Sequence, residues 1–222
     1  MAVPDRAGLA LAGPSGAVLA AAGDVRELLT RTERDRADAL RSARDRADFL
    51  AAHALVRLCA GRLLGRPARG LTVVQRCEGC GGPHGRPRLA EAPGTGISLA
   101  HSRGWVAAAA AHGPVGVDVE AWEGEEEQPP DWRTVEAACT AEELAAVRAD
   151  PHPRRAFLRQ WVRKESLVKV GAGTLDEAAR LDLPVYGRRP PHWRGWQLLD
   201  WEGKGAVGCV AAREEMRLRL LG

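Results

Sequence analysis

The order of elements in this 222-residue sequence permits an α+β fold. Three observations carry it: a long helical run before residue 65, three short strand-like segments in succession between 97 and 120, and a second helical stretch followed by further strand-like segments near the end. Helices and strands grouped in this way permit an α+β arrangement around buried sheet faces.

Taken in order, the alanine-rich Ala17 to Ala21 reads as a short strand. Thr32 to Leu64 reads as a helix or helix pair, with Ala47, Leu50, Leu55, Leu58 and Leu64 at its apolar positions. Leu71 to Gln75 is a predicted strand, and residues 76 to 95, rich in Gly, Pro and Cys, a long loop. Ile97 to His101, Trp105 to Ala111 and Val115 to Glu120 follow as strands, with turns at Arg103-Gly104 and Gly113-Pro114. Glu123 to Pro130 is acidic and ends in prolines, as an exposed linker does. Thr140 to Ala149 is a predicted helix with Thr140 as N-cap and Glu143 at the third position. A second helix runs from Pro153 to Val170 and is stopped by Gly171, after which Trp193 to Trp201 and Ala206 to Ala212 read as strands. No heptad, low-complexity array or sequence repeat is evident.

Composition bounds the function without naming it. A hydrophobic fraction of 45% and a charged fraction of 27% are ordinary for a globular protein that buries one large or two small cores. The net charge of +3 is weak evidence for an anionic partner, and the arginines between Arg31 and Arg57 alternate with acids, so no nucleic-acid arm is expected. No transmembrane run is seen, and Met1 to Ala22, broken by Asp5, Arg6 and Gly13-Pro14, does not read as a signal peptide. Five unevenly spread cysteines suit a reducing cytoplasm better than a disulfide framework.

Two segments carry the chemistry. In Gly116-Val-Asp118-Val-Glu120, acids alternate with valines, so both carboxylates leave one face of a half-buried strand, their Cα atoms about 6.5–7 Å apart. In Trp161-Val-Arg-Lys164-Glu165-Ser-Leu-Val-Lys169, Trp161, Glu165 and Lys169 share one helical stripe and Lys164 flanks it. Either segment alone fits a solvated face. Together, three acids edged by lysines suit Mg²⁺ bound to a diphosphate, because that ion takes a few carboxylates and lets phosphates and waters complete its octahedron.

These two motifs, with Ser98-Leu-Ala-His101-Ser102, the turn Gly85-Arg86-Pro87 and the basic helical stretch Arg31 to Arg57, resemble the phosphopantetheinyl transferase family of the surfactin-synthetase-activating (Sfp) type. The resemblance covers about residues 30 to 212. It implies two similar α/β halves about a pseudo-two-fold axis, residues 1–113 and 114–222, with a coenzyme A cleft between them. It also implies Mg²⁺-dependent transfer of 4′-phosphopantetheine from coenzyme A to a serine of acyl or peptidyl carrier proteins by a cytoplasmic monomer. By this resemblance Asp118, Glu120 and Glu165 hold the metal, Glu165 takes the serine proton and Lys164 assists. Arg34, Arg36, Arg46, Arg86, His101, Lys164 and Lys169 contact coenzyme A, with Ser98 and Ser102 lesser candidates. Glu142 falls where the family often has an acid, although helix capping explains its surroundings. Gly171-Ala172-Gly173 departs from the family, which commonly has a charged or larger residue between those glycines.

Two other classes stay open on sequence grounds: a carrier- or coenzyme-binding module without catalysis, and a magnesium phosphohydrolase that uses water as acceptor. No P-loop, dinucleotide glycine motif or Ser-His-Asp signature supports another enzyme class. Cys77-Glu-Gly-Cys80-Gly-Gly-Pro-His84 offers three zinc-type ligands where a structural site wants four. The expectation from that count is reduced cysteines in a tight turn and substoichiometric zinc.

Overall fold

A computed structural model describes residues 7–122, 128–183 and 192–222. The chain opens with strand β1 (Gly8–Pro14), then helices α1 (Ser15–Ala22), α2 (Val25–Leu28), α3 (Arg31–Ala39) and α4 (Ala43–Leu64). Strands β2 (Val73–Gln75), β3 (Pro87–Leu89), β4 (Gly96–Ser102), β5 (Trp105–Ala111) and β6 (Val115–Ala121) follow. Next come α5 (Trp132–Ala138), α6 (Ala141–Ala149) and α7 (Pro153–Lys169). The chain closes with β7 (His192–Trp193), β8 (Trp196–Gly203), β9 (Ala206–Ala212) and β10 (Met216–Leu220).

Two four-stranded sheets organise these elements, in the orders β10-β1-β5-β4 and β6-β9-β8-β7, and β2 pairs with β3 apart from both. Every pairing is antiparallel except β1 with β10. The alanines of β5 explain how the sheets layer. Val106, Ala108 and Ala110 pack with Leu55 and Cys59 of α4, whereas Ala107, Ala109 and Ala111 join Val115, Val117 and Val210 where the sheets meet. On the far side of the second sheet, Val207, Cys209 and Ala211 pack on Val162 and Leu167 of α7. Small side chains on alternate faces let β5 lie between two layers, because a strand sends successive side chains to opposite faces.

The departures from the sequence reading have local causes. Ala17 to Ala21 lies within the helix α1, not a strand, since an alanine-rich run loses little by helix formation; the strand is the preceding segment Gly8–Pro14. The helical run divides into α3 and α4 because Ser42 starts a new helix, its hydroxyl accepting from Asp45 N–H. Helix α4 is buried on most of its circumference, so Leu50, Leu58 and Leu64 sit at the margin and Leu55 at the centre. Trp193 to Trp201 is a hairpin, turned at Arg194 and Gly195 (φ 47° and 82°), as β4 and β5 are turned at Arg103 and Gly104 (φ 43° and 91°). Helices α2 and α5, strand β3 inside the predicted loop 76–95, and strand β10 were not foreseen. Part of the acidic stretch at 123–130 lies outside the described residues. Among the described residues no helix is long and apolar enough to cross a membrane.

One local device occurs twice. Thr30 caps α3 and Thr140 caps α6, each forming a capping box with the glutamate three residues on, Glu33 and Glu143. Each glutamate is also the partner of a buried cation on the following long helix: Arg57 Nη2 donates to Glu33 at 2.6 Å and Lys164 Nζ to Glu143 at 2.6 Å.

Candidate active site

Strand β6 and helix α7 are held together by a glycine. A Cβ on Gly116 would overlap the carbonyl oxygen of Ser166, so only glycine lets the helix lie this close to the strand. Ser166 fixes the helix from its other side, its hydroxyl bonding Val162 O at 2.7 Å and Cys209 O at 2.8 Å. With Val117 and Val119 in the core between the sheets, Asp118 is turned toward α7. There Lys169 Nζ donates to Asp118 Oδ1 at 2.7 Å and to Val117 O at 2.9 Å.

The three predicted metal ligands share one electrostatic environment. Burial raises the pKa of Asp118, against the pull of Lys169. Glu120 is pushed up to about 7, first by burial and then by the charges of Asp118 and Glu165, while a hydrogen bond from Ser102 opposes the shift. Glu165 is raised by burial and by Asp118. Two glutamates raised by the charge of a neighbouring aspartate mark a site short of positive charge. Asp118 Oδ2 is buried without a hydrogen-bond partner, which is costly unless something else satisfies it. This hard, all-oxygen donor set fits a magnesium-type cation. The three carboxylates do not draw in to within 4.8 Å of one another here, and the cation that Asp118 faces is Lys169.

Asp118 and Lys169 form one wall of a pocket of about 520 Å³, within the usual range for small-molecule sites. Arg36, Arg86, Ser98 and His101 also line it. Arg36 is steered by Gln75, which accepts at 2.9 Å, and lies over the Phe49 ring. Arg86 reaches toward α7, its Nη2 lying 3.0 Å from where a Gly171 side chain would begin. The small Gly171 therefore leaves room for the arginine, a physical reading of the departure noted in the sequence. His101 is exposed to solvent on the pocket lining, and its pKa is lowered chiefly by desolvation from the neighbouring wall and further by Lys169, although Asp48 and Asp118 oppose this. At neutral pH it therefore offers one N–H and one lone pair and no charge.

The remaining candidates are engaged in structural contacts. Lys164, expected beside the diphosphate, is 1% exposed and donates to Glu143 and to Ala138 O at 2.7 Å, tying α7 to α5 and α6. Arg34 and Arg46 bond backbone carbonyls, Arg34 those of Arg26 and Leu29, Arg46 those of Ala37 and Leu40. They close helix ends and do not line the pocket. Ser98 lines the pocket, but its oxygen accepts Val117 N–H at 3.0 Å and so ties β4 to β6. Ser102 donates to Glu120 at 2.7 Å and orients that acid. Glu142 is exposed at the start of α6, where its neighbour Glu143 makes the capping contacts. Sequence reasoning missed the buried group formed by Glu33, His53 and Arg57, whose signal was a second Thr-x-x-Glu box at Thr30.

Residues 114–200 match the 4′-phosphopantetheinyl transferase superfamily. The matched stretch runs from the turn before β6 into β8 and contains Asp118, Glu120, Glu165 and Lys169. It points to phosphopantetheine transfer, with coenzyme A as the substrate and carrier proteins as the partners of that superfamily in general. No curated protein matches the chain.

Proposed function

We propose that this protein is an Sfp-type phosphopantetheinyl transferase, moving 4′-phosphopantetheine from coenzyme A to a serine of an acyl or peptidyl carrier protein and releasing adenosine 3′,5′-bisphosphate. The observation that carries this reading is the placement of Asp118 and Lys169 on the pocket wall, electrostatically coupled to Glu120 and Glu165, inside the stretch that matches the superfamily.

The chemistry needs the serine oxygen to bond the pantetheine-side phosphorus while the bond from that phosphorus to the bridging oxygen breaks. The leaving group is adenosine 3′,5′-bisphosphate, which carries the electron pair away. Glu165 takes the serine proton, directly or through a water, and its position beside the reacting phosphate supplies much of the effect. Lys169 and Arg86 supply positive charge to the phosphates, and Arg86 brings the planar fork suited to phosphate oxygens. Neutral His101 donates one N–H to a phosphate oxygen. Mg²⁺, held by Asp118, Glu120 and Glu165, would offset negative charge on the attacked and leaving phosphates.

The two sheets support a duplicated fold with a pseudo-two-fold axis. β1-β5-β4 and β6-β9-β8 repeat one pairing order, and the Thr30–Glu33–Arg57 and Thr140–Glu143–Lys164 groups repeat one cap. On this reading residues 1–113 and 114–222 are the halves, coenzyme A lies between them, and one chain supplies both walls, so a monomer suffices. Free thiols at Cys59, Cys77, Cys80, Cys139 and Cys209 support a cytoplasmic setting. The test is product analysis: adenosine 3′,5′-bisphosphate should appear from coenzyme A only when an apo-carrier protein and Mg²⁺ are both present. Release without a carrier would indicate a phosphohydrolase, and no release a binding module.

A further inference from the structure

The loop between β2 and β3 holds a second constellation that the transfer reaction does not use. Cys77, Cys80 and His84 place one ligand atom each so that all three lie within 4.8 Å of one another; among the described residues they are the one such group of three. Cys80 Sγ lies 3.0 Å from His84 Nε2. A tetrahedral zinc with Zn–S of about 2.3 Å and Zn–N of about 2.0 Å sets its ligand atoms roughly 3.5–3.8 Å apart, a small adjustment from this spacing.

The backbone is already shaped for thiolates. Cys77 N–H donates to Gly82 O, and Gly81 N–H to Cys77 O, both at 2.9 Å, closing a tight knuckle. Gly82 N–H points at Cys80 Sγ at 3.4 Å, and the N–H groups of Gly79 and Cys80 act on Cys77 in the same sense. Such amide donors stabilise sulfur that carries negative charge. Two glycines make the knuckle possible. Gly81 has φ 69°, and a Cβ on Gly82 would sit 3.2 Å from both Cys80 Sγ and the His84 ring. Arg76, Arg86 and Arg88 line the adjoining surface together with Glu78.

We propose that Cys77, Cys80 and His84 bind one zinc ion per chain, with the fourth position taken by water or an exogenous ligand, and that this zinc staples the loop carrying Arg86. This goes against the expectation drawn from ligand count, since the folded loop brings together what the sequence only spaces. The staple acts at short range. Gly85, next to His84, gives its carbonyl to Gln75 Nε2 at 2.9 Å, and Gln75 in turn accepts from Arg36 of the pocket wall. A fixed His84 therefore fixes the turn from which Arg86 enters the pocket.

The test uses the whole chain stripped with a chelator under reducing conditions, then titrated with Co²⁺ and with Zn²⁺. We expect one equivalent of Co²⁺ to give the intense visible bands of a tetrahedral site and a near-ultraviolet sulfur-to-cobalt charge-transfer band, with Zn²⁺ bleaching both. Cys77→Ser and Cys80→Ser should each lose most of the charge-transfer intensity and bind zinc at least tenfold more weakly, whereas Cys59→Ser should match wild type. Zinc should also slow proteolytic cleavage within residues 76–86 of the wild-type chain. Weak octahedral cobalt bands, or zinc binding unaltered by both loop substitutions, would overturn the proposal, as would formation of a Cys77–Cys80 disulfide in preference to metal uptake under thiol buffer. None of these readouts needs carrier protein or coenzyme A, so they stand whether or not the transferase reading does.

Discussion

Lys169 Nζ donates to Asp118 Oδ1 at 2.7 Å, while Oδ2 of the same carboxylate is buried with no hydrogen-bond partner. The residue at the centre of the acid group is thus half satisfied, by a lysine that also lines the pocket. A ligand phosphate and a metal ion would divide this pair between them, the lysine going to the phosphate and the aspartate to the ion.

Lys169→Ala should therefore weaken coenzyme A binding by roughly tenfold or more, the scale of one charge-assisted hydrogen bond. The deficit should shrink as salt rises, because screening already reduces the attraction in the wild type. Calorimetric titration at low and high salt reads this directly; equal dissociation constants for wild type and variant at low salt would remove Lys169 from the phosphate site.

Lys164 should behave as a structural residue. Its ammonium and the Glu143 carboxylate are both nearly inaccessible, at 1% exposure each, so removing either strands a buried charge. Lys164→Met alone should cost about 3–5 kcal/mol of stability, and the double change Lys164→Met with Glu143→Gln, which removes the stranded charge but keeps an oxygen for the Thr140 cap, less. Denaturant melts of the four proteins give the comparison. A Lys164→Met protein of wild-type stability but without transfer activity would return this lysine to the reacting centre.

Gly116→Ala should act through the gap between β6 and α7. The added methyl meets the Ser166 carbonyl, so the helix must move off the strand, at about 1–3 kcal/mol. Displacing Glu165 and Lys169 from Asp118 by even about 1 Å should slow transfer by roughly 100-fold. A melting curve paired with single-turnover rates separates the two effects; a variant that melts earlier at unchanged rate would show that this contact does not set the site.

The candidate site was legible in the sequence where local periodicity decides geometry. Period two put Asp118 and Glu120 on one strand face, and the four-residue helical repeat put Glu165 and Lys169 on one stripe; neighbours in the chain fix both relations. Lys164 was misplaced because it follows Glu165's face only approximately, and its partner, Glu143, is distant in sequence and marked only as a helix cap. Arg34 and Arg46 were misplaced for a similar reason, since carbonyls at helix ends leave no signal in side-chain patterns. The fold was legible in its long helices and in β4 to β6, whereas β10 was not, because its parallel partner β1 lies at the other end of the chain. The cysteine knuckle shows the same limit in the opposite sense, as a ligand count cannot show that backbone amides converge on sulfur.

Glu33 gives a pH test away from the acid group. Burial alone would raise its pKa, but hydrogen bonds from His53 and Arg57 overcome this and lower it from 4.5 to about 2. A depressed folded-state pKa contributes stability that is present above the unfolded value and lost as pH falls toward the folded one. Relative to wild type, Glu33→Gln should be roughly 3 kcal/mol less stable at pH 7. The gap should close between pH 4.5 and about 2. Urea unfolding across that range is the check, and a gap independent of pH would mean that Glu33 is not ionised in the folded chain.

The most direct test of the transferase reading is the intact mass of carrier proteins after incubation with this protein, coenzyme A and Mg²⁺. Wild type should add one 4′-phosphopantetheine to the acceptor serine of at least one apo-acyl or apo-peptidyl carrier, and nothing when that serine is alanine. Asp118→Ala and Glu165→Ala, folded by circular dichroism, should be slower by at least about 100-fold, the scale for loss of one preorganised electrostatic contact. Unmodified carriers across a broad panel, or equal modification by wild type and both variants, would contradict the account.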